Sequence, residues 1–355
     1  MHAIYDLRSD TVTRPTPEMK RAMMEAPLGD DVLGDDPTVK RLEALIAERT
    51  GKQRGLFFPS GTQANQTAVH VQAGRGDEVL LERRSHIFNY EAGAPAALSG
   101  VQLHPVDTAD GALRPSHLEG RVRPVDAHFA QTRLVCLENT HNGHGGRIYP
   151  IADMEALSRW ARDRGLAVHL DGARLFNAVV ASGVEAQRWA ACADTVSICL
   201  SKGLGAPVGT CLVGSAETIE RARWVRKRLG GGMRQAGILA GAGIHALEHH
   251  VERLADDHDL AKEIAAGLSE LDGIAVDIAR VETNIALIRV EAPGITAADL
   301  VREVEELGVR TLAVSPGEIR LVTHLDVPGD AVREVPRRFE AALRGLRDHP
   351  KGDRT

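Results

Sequence analysis

An acid and an amine at the ends of two apolar strands are the first residues in this sequence that could do chemistry together. Ala167–Leu170 and Thr195–Leu200 read as buried strands, the first running into Asp171 and the second stopping just short of Lys202. Lysine is scarce in the chain, seven against 36 arginines. Arginine cannot form an imine, so a lysine between an apolar strand and a glycine-rich turn is informative. Arg174 lies one helical turn beyond Asp171, and Ser60-Gly-Thr-Gln-Ala-Asn65 opens a helix after the short strand Leu56–Pro59. Free N–H groups, a small glycine and two hydroxyls at a helix start suit a phosphate, although the same residues are an ordinary N-cap. His86 and Glu91 follow the strand Glu78–Leu81. A lysine for a Schiff base, a carboxylate for a pyridine nitrogen, an anion-holding helix start and a histidine plane for stacking are the parts that pyridoxal 5'-phosphate requires. The plainer reading leaves Lys202 as a strand-end residue and Asp171 as the cap of the next helix.

These residues depend on alternating elements to bring them together. Strands are expected at Glu78–Leu81, Val101–Val106, Leu134–Leu137, Ala167–Leu170, Thr195–Leu200 and Val208–Val213, with helices at Thr38–Arg49, Asp153–Arg164 and Ala216–Arg228 between and around them. That order predicts an α/β fold with a mostly parallel sheet, whose ligands lie beyond the C-terminal strand ends. A single helical region is expected over Ile238–Leu271, followed by strand Asn284–Val290, helix Ala297–Leu307, strand Glu318–Val322 and a last helix to about Leu346. The pattern divides the chain into an N-terminal arm (1–20), a large domain (21–250) and a smaller C-terminal α+β domain (251–355).

Composition narrows the function. With 43% hydrophobic and 26% charged residues in 355, disorder is not expected beyond the termini. A net charge of -6 gives no electrostatic footprint for nucleic acid or an anionic membrane, which favours a small-molecule partner. Cys136, Cys192, Cys199 and Cys211 form no C-x-x-C pair, so neither a zinc site nor a disulfide framework is read. No apolar run approaches the roughly 20 residues of a membrane span, and a cytoplasmic protein is expected. The P-loop, H-E-x-x-H and dinucleotide fingerprints are missing. His245 and His249 share a helix face but read as solvated, and no metal ligand is assigned. The four aspartates of Gly29–Pro37 read as serving the dipole of the following helix rather than a cation.

Eight segments, in order, resemble one family: Asp6-Leu-Arg-Ser-Asp-Thr-Val-Thr13, Gly29-Asp-Asp-Val through Gly34-Asp-Asp-Pro-Thr38, Ser60-Gly-Thr-Gln-Ala-Asn65, Glu138-Asn-Thr-His-Asn142, His169-Leu-Asp-Gly-Ala-Arg-Leu-Phe-Asn177, Leu200-Ser-Lys-Gly-Leu-Gly-Ala-Pro-Val-Gly209, Gly230-Gly-Gly-Met-Arg-Gln235 and Arg320-Leu-Val-Thr-His324. They are similar to the low-specificity L-threonine aldolases, pyridoxal-phosphate lyases of the aspartate aminotransferase fold (fold type I). The resemblance covers about residues 5 to 330. It implies a seven-stranded sheet flanked by helices and retro-aldol cleavage of β-hydroxy amino acids to glycine and an aldehyde. It implies Lys202 as the Schiff-base lysine, Asp171 at the pyridine nitrogen, Arg174 near the phenolic oxygen and His86 stacked on the ring. Gly61 and Thr62 would bind the phosphate, helped by Lys227 and Arg234 of a neighbouring subunit in a homotetramer built from dimers. Ser9 and Arg320 would hold the substrate carboxylate, and His128 would lie near the substrate hydroxyl. His86, His128 or a water between them is the expected base. Leu33 stands where many members have tyrosine. The alternative is another fold type I enzyme, a β-eliminating lyase or an aminotransferase.

Overall fold

The caps written into the sequence start the helices where the chain turns onto the sheet. In the computed structural model, which describes residues 3–348, the elements run β1 (Tyr5–Asp6), α1 (Pro17–Met24), α2 (Pro37–Thr50), β2 (Arg54–Phe58), α3 (Gly61–Gln72), β3 (Glu78–Glu82), α4 (His86–Asn89), β4 (Gln102–Val106), α5 (Pro115–Leu118), β5 (Thr132–Glu138), α6 (Ile151–Arg162), β6 (Ala167–Asp171), α7 (Leu175–Ser182), α8 (Ala186–Ala191), β7 (Thr195–Cys199), β8 (Thr210–Gly214), α9 (Ala216–Arg228) and α10 (Gly237–His249). The chain continues through α11 (Leu254–Ser269), β9 (Ile274–Val276), β10 (Ile285–Val290), α12 (Ala297–Glu306), β11 (Val309–Arg310), β12 (Leu312–Ser315), β13 (Glu318–Val322) and α13 (Ala331–Asp348). The outermost residues of the expected arm and C-terminal domain, 1–2 and 349–355, lie outside the described residues.

Thr16 caps α1 by accepting from the Met19 N–H, with Pro17 at the first helical position. Asp36 caps α2: Oδ1 accepts from the N–H groups of Thr38 and Val39, while Oδ2 accepts from those of Gly29 and Gly237. The last aspartate of the acidic loop thus serves a helix start, as the dipole reading expects.

Seven strands form one sheet in the order β2-β8-β7-β6-β5-β3-β4. Every neighbouring pair is parallel except the two made by β8. β3, β7 and β8 are buried along their whole length, which is why they read as continuous apolar runs rather than alternating ones. From β3 the chain passes to β4 on one side and returns to β5 on the other. The connections leaving the C-terminal ends of β3 and β5 therefore run to opposite sides, giving the crevice where ligands bind in such sheets.

A second, smaller sheet has the order β12-β13-β10-β9, antiparallel throughout, and packs under α11 and α13. Its core holds Ile288, Phe339, Tyr5 and Leu7. The last two belong to the N-terminal arm, where β1 pairs in parallel with β11. The helical region expected over Ile238–Leu271 is two helices, broken at residues 250–253. There the His250 ring turns away to contact the Leu204 carbonyl, Nδ1 to O 2.8 Å. Among the described residues no helix is long and apolar enough to cross a membrane.

Candidate active site

Strands β6 and β7 deliver Asp171 and the turn bearing Lys202 to one cavity of about 450 Å³, which Ser9, His86, Arg174 and Arg320 also line. Six of the expected site residues, scattered from position 9 to 320, therefore meet at one end of the sheet. Asp171 is buried, with Oδ2 accepting from Asn65 Nδ2 at 2.8 Å and Oδ1 from the Ala173 N–H at 3.1 Å. Burial pushes its carboxyl up, but His86, Lys202, His169 and the Asn65 bond outweigh that and hold it below the usual carboxylate range. His169 is itself driven down to about 4 by burial, so at neutral pH it acts as a neutral ring and adds little to that pull. No ion pair joins Asp171 to Lys202, and among the described residues the Lys202 ammonium has no hydrogen-bond partner. The acid and the amine face the same space without touching.

A buried network fixes the acid. Asn65, on the second turn of α3, donates both Nδ2 hydrogens, one to Asp171 and one to Glu91 Oε1 at 2.8 Å. Its Oδ1 accepts from Ser197 Oγ at 2.7 Å and lies 3.1 Å from His169 Nε2. That assigns the proton of His169 to Nε2 and leaves Nδ1 to accept from the Thr195 hydroxyl at 2.9 Å. Glu91 also lies 2.8 Å from His86 Nδ1, so Nδ1–H donates to it and Nε2 remains the accepting nitrogen. Burial lowers the His86 pKa, yet Glu91, Asp171 and Glu138 together raise it above the ordinary imidazole value.

Opposite them stand two arginines. Arg174 makes a two-pronged pair with Asp10, Nε–Oδ2 and Nη2–Oδ1 both 2.7 Å, and both residues are buried. Against burial, Arg174, Lys202 and Asn284 hold the Asp10 pKa down to about 2. Arg320 donates Nη1 to Asn142 Oδ1 at 3.0 Å and Nη2 to the Arg8 carbonyl at 3.2 Å, while its buried Nε has no partner. One carboxylate satisfies Arg174; Arg320 has none, which suits it to an anionic ligand.

Gly61 and Thr62 begin α3 one turn before Asn65, and Ser60 caps the helix by accepting from the Gln63 N–H. A Cβ on Gly61 would come 2.9 Å from Cys199 Sγ, so only glycine lets this turn lie against the end of β7. An ionised buried acid, an unpaired lysine and a free helix start thus lie along one strand edge. That donor set fits pyridoxal phosphate.

Five expected residues do not line this cavity: Gly61 and Thr62, at the start of α3, and three more. Arg234 pairs with Asp30, Nη1–Oδ2 2.9 Å, on the acidic loop, and Lys227 is exposed on the last turn of α9. His128 projects from the surface loop before β5, its side chain 88% exposed, with Nδ1 2.6 Å from Asp126 Oδ1. Leu33 is likewise exposed and away from the cavity. Sequence reasoning missed the roles of Asp10, Asn65, Glu91 and Asn142. The available signal was a second carboxylate in the arm, directly after Ser9.

Comparison with known proteins finds relatives over nearly the whole chain. A family model described as beta-eliminating lyase matches residues 6–292. A low specificity L-threonine aldolase of Escherichia coli (strain K12) is 46% identical over 343 residues, covering 96% of this chain and 99% of the relative. A low-specificity L-threonine aldolase 1 of Arabidopsis thaliana is 43% identical over 343 residues, covering 95% and 96%. The solved threonine aldolase of Leishmania major shares the fold at a TM-score of 0.81 with 22% identity, covering 96% of this chain and 99% of that one. A serine palmitoyltransferase of Sphingomonas wittichii matches at a TM-score of 0.76 and 19% identity, covering 97% and 88%.

Proposed function

This chain belongs to the low-specificity L-threonine aldolases of the beta-eliminating lyase family, and from that premise we propose how its residues carry the reaction. The protein is a pyridoxal-phosphate-dependent lyase that cleaves threonine to glycine and acetaldehyde. We extend this to L-allo-threonine and related β-hydroxy amino acids. The observation that carries the reading is Asp171 and Lys202 facing one cavity unbonded to each other.

When bound, pyridoxal phosphate supplies an imine to the substrate amine and an electron sink for the Cα–Cβ bond. Lys202 would hold the cofactor covalently. Asp171, ionised and fixed by Asn65, would hold a proton at the pyridine nitrogen. The N–H groups of Gly61 and Thr62 would receive the phosphate, and Lys227 and Arg234 of a neighbouring subunit would add positive charge. Arg174, neutralised by Asp10, would lie near the phenolic oxygen. Arg320 and Ser9 clamp the substrate carboxylate, a task for which Asn142 already orients the guanidinium. His86 would stack on the ring, and its accepting Nε2 would take the β-hydroxyl proton directly or through a water; His128, exposed on its own chain, would share it only at a neighbouring subunit's site.

Lys227 and His128 are exposed, and so are the apolar residues Met24, Leu28, Leu33 and Trp224. Leu28 and Val32 lie close to the 231–237 loop. Such surface supports assembly as a homotetramer of dimers. The four free, buried cysteines support a cytoplasmic setting.

The test is incubation of the holoenzyme with both threonine diastereomers. Acetaldehyde and glycine are expected; keto acid or free ammonia would favour an aminotransferase or a β-eliminating lyase instead. Lys202→Ala is expected to abolish both turnover and the visible absorbance of the lysine-bound cofactor.

A further inference from the structure

Three donors converge outside the reaction cavity. Glu82 ends β3, His141 follows β5, and His144 lies one 3-10 turn beyond it. Glu82 Oε2 is 3.1 Å from His141 Nε2, and Glu82 Oε1 is 3.2 Å from His144 Nε2. The three side chains are 4%, 3% and 7% exposed, and their donor atoms all lie within 4.8 Å of one another. The His144 contact is a hydrogen bond. The His141 contact is short but lacks hydrogen-bond alignment, and among the described residues neither ring nitrogen of His141 has a hydrogen-bond partner. An imidazole nitrogen and a carboxylate oxygen this close, neither aimed at the other, are placed as two ligands of one ion. Tetrahedral ligands about 2.0–2.2 Å from zinc lie roughly 3.3 Å apart.

We propose that Glu82, His141 and His144 bind a divalent transition cation of the zinc class, with water as the fourth ligand. Two imidazoles and one carboxylate are a zinc-type donor set. His144 borders a separate cavity of about 190 Å³, which leaves room for the water. The carboxylate is already oriented: the Arg84 N–H donates to Oε2 at 2.5 Å and the Thr108 hydroxyl to Oε1 at 3.3 Å, the outer contacts a metal ligand needs. The sequence reading assigned no metal ligand because position 82 is far from 141 and 144; β3 and β5 are neighbours only in the sheet.

The cation would tie the 138–146 loop to β3. Asn142 lies between the two histidines and accepts from Arg320 at 3.0 Å and Arg174 at 3.4 Å. The site is thus a clamp on the loop that orients the arginines of the reaction cavity, with no part in bond cleavage.

Untagged holoenzyme, stripped with EDTA and dialysed against increasing free zinc, tests this by metal counted per chain and by thermal midpoint. One zinc per chain is expected, with the midpoint rising as zinc is added. His144→Ala should weaken zinc binding by roughly 100-fold or more and remove the midpoint rise. Glu82→Gln, which keeps the side-chain shape, should do the same with unchanged circular dichroism and cofactor absorbance. The double variant His245→Ala/His249→Ala should bind like the wild type. Substoichiometric zinc in the wild type, or one zinc retained at wild-type affinity by His144→Ala, would overturn the proposal.

Discussion

Burial of the Asp10–Arg174 pair gives a single carboxylate a measurable share of the protein's acid stability. Its pKa is about 2 in the fold against an ordinary 3.8, so the ionised form favours folding by about 2 kcal/mol at neutral pH. Because the folded value is the lower one, this contribution is complete above about pH 4 and is lost as pH falls towards 2. Asp10→Asn leaves a buried guanidinium without its anion and should cost about 3–5 kcal/mol at pH 7. Denaturant titrations of both proteins should show the gap between them narrowing by about 2 kcal/mol across that acid window; a constant gap would mean Asp10 is not ionised in the fold. Glu91 makes a second case. It raises the His86 pKa and fixes its tautomer. If neutral His86 is the base, Glu91→Gln should move the acidic limb of the kcat/KM profile to lower pH, because the imidazole then loses its proton earlier.

Helix starts are where one element's stability rests on few atoms. Asp36 is 1% exposed and satisfies four N–H groups, two on α2, one in the acidic loop and one at the start of α10. An ordinary cap contributes about 1 kcal/mol. Asp36→Ala strands buried donors on three segments and should cost about 2–4 kcal/mol in denaturant unfolding; a loss under 1 kcal/mol would mean that water replaces the carboxylate. Such caps are legible because they are local: the bonds by which Thr16, Ser60 and Asp36 cap α1, α3 and α2 each span no more than three residues. Long apolar strands were legible for the same reason. β9, β11 and β12 were not, being two to four residues long and partly exposed. The break after α10 has no proline or glycine to announce it, since the His250 contact with Leu204 that turns the chain is tertiary. The site divides likewise. Lys202 and Asp171 sit where their own strands end, whereas Asp10, Asn65 and Asn142 acquire roles only from partners 26 to 274 residues away, and Glu91 needs the turn that brings it back to His86.

At the scale of the whole molecule, the reaction cavity is assembled from segments that no single domain owns. The N-terminal arm pairs with β11, contributes Tyr5 and Leu7 to the smaller core, lines the cavity with Ser9 and reaches the large sheet through Asp10 and Arg174. Lys227 and Arg234, by contrast, lie off this cavity on their own chain. If they complete the neighbour's phosphate site, each site needs Lys202 from one subunit and Arg234 from the other, and this can be separated genetically. A Lys202→Ala homo-oligomer has no reactive lysine, and an Arg234→Ala homo-oligomer has every phosphate site weakened. In a mixed dimer, the subunit carrying Arg234→Ala keeps its own Lys202 and receives an intact Arg234 from its partner, so one of its two sites is fully restored. Random pairing makes half of the dimers mixed, so equal co-expression should return about a quarter of wild-type turnover, measured at low cofactor concentration where the arginine matters most. If Arg234 served only its own chain, the mixed dimer would have no intact site. Turnover would then stay at half the residual rate of the Arg234→Ala protein, the fraction of subunits that carry Lys202.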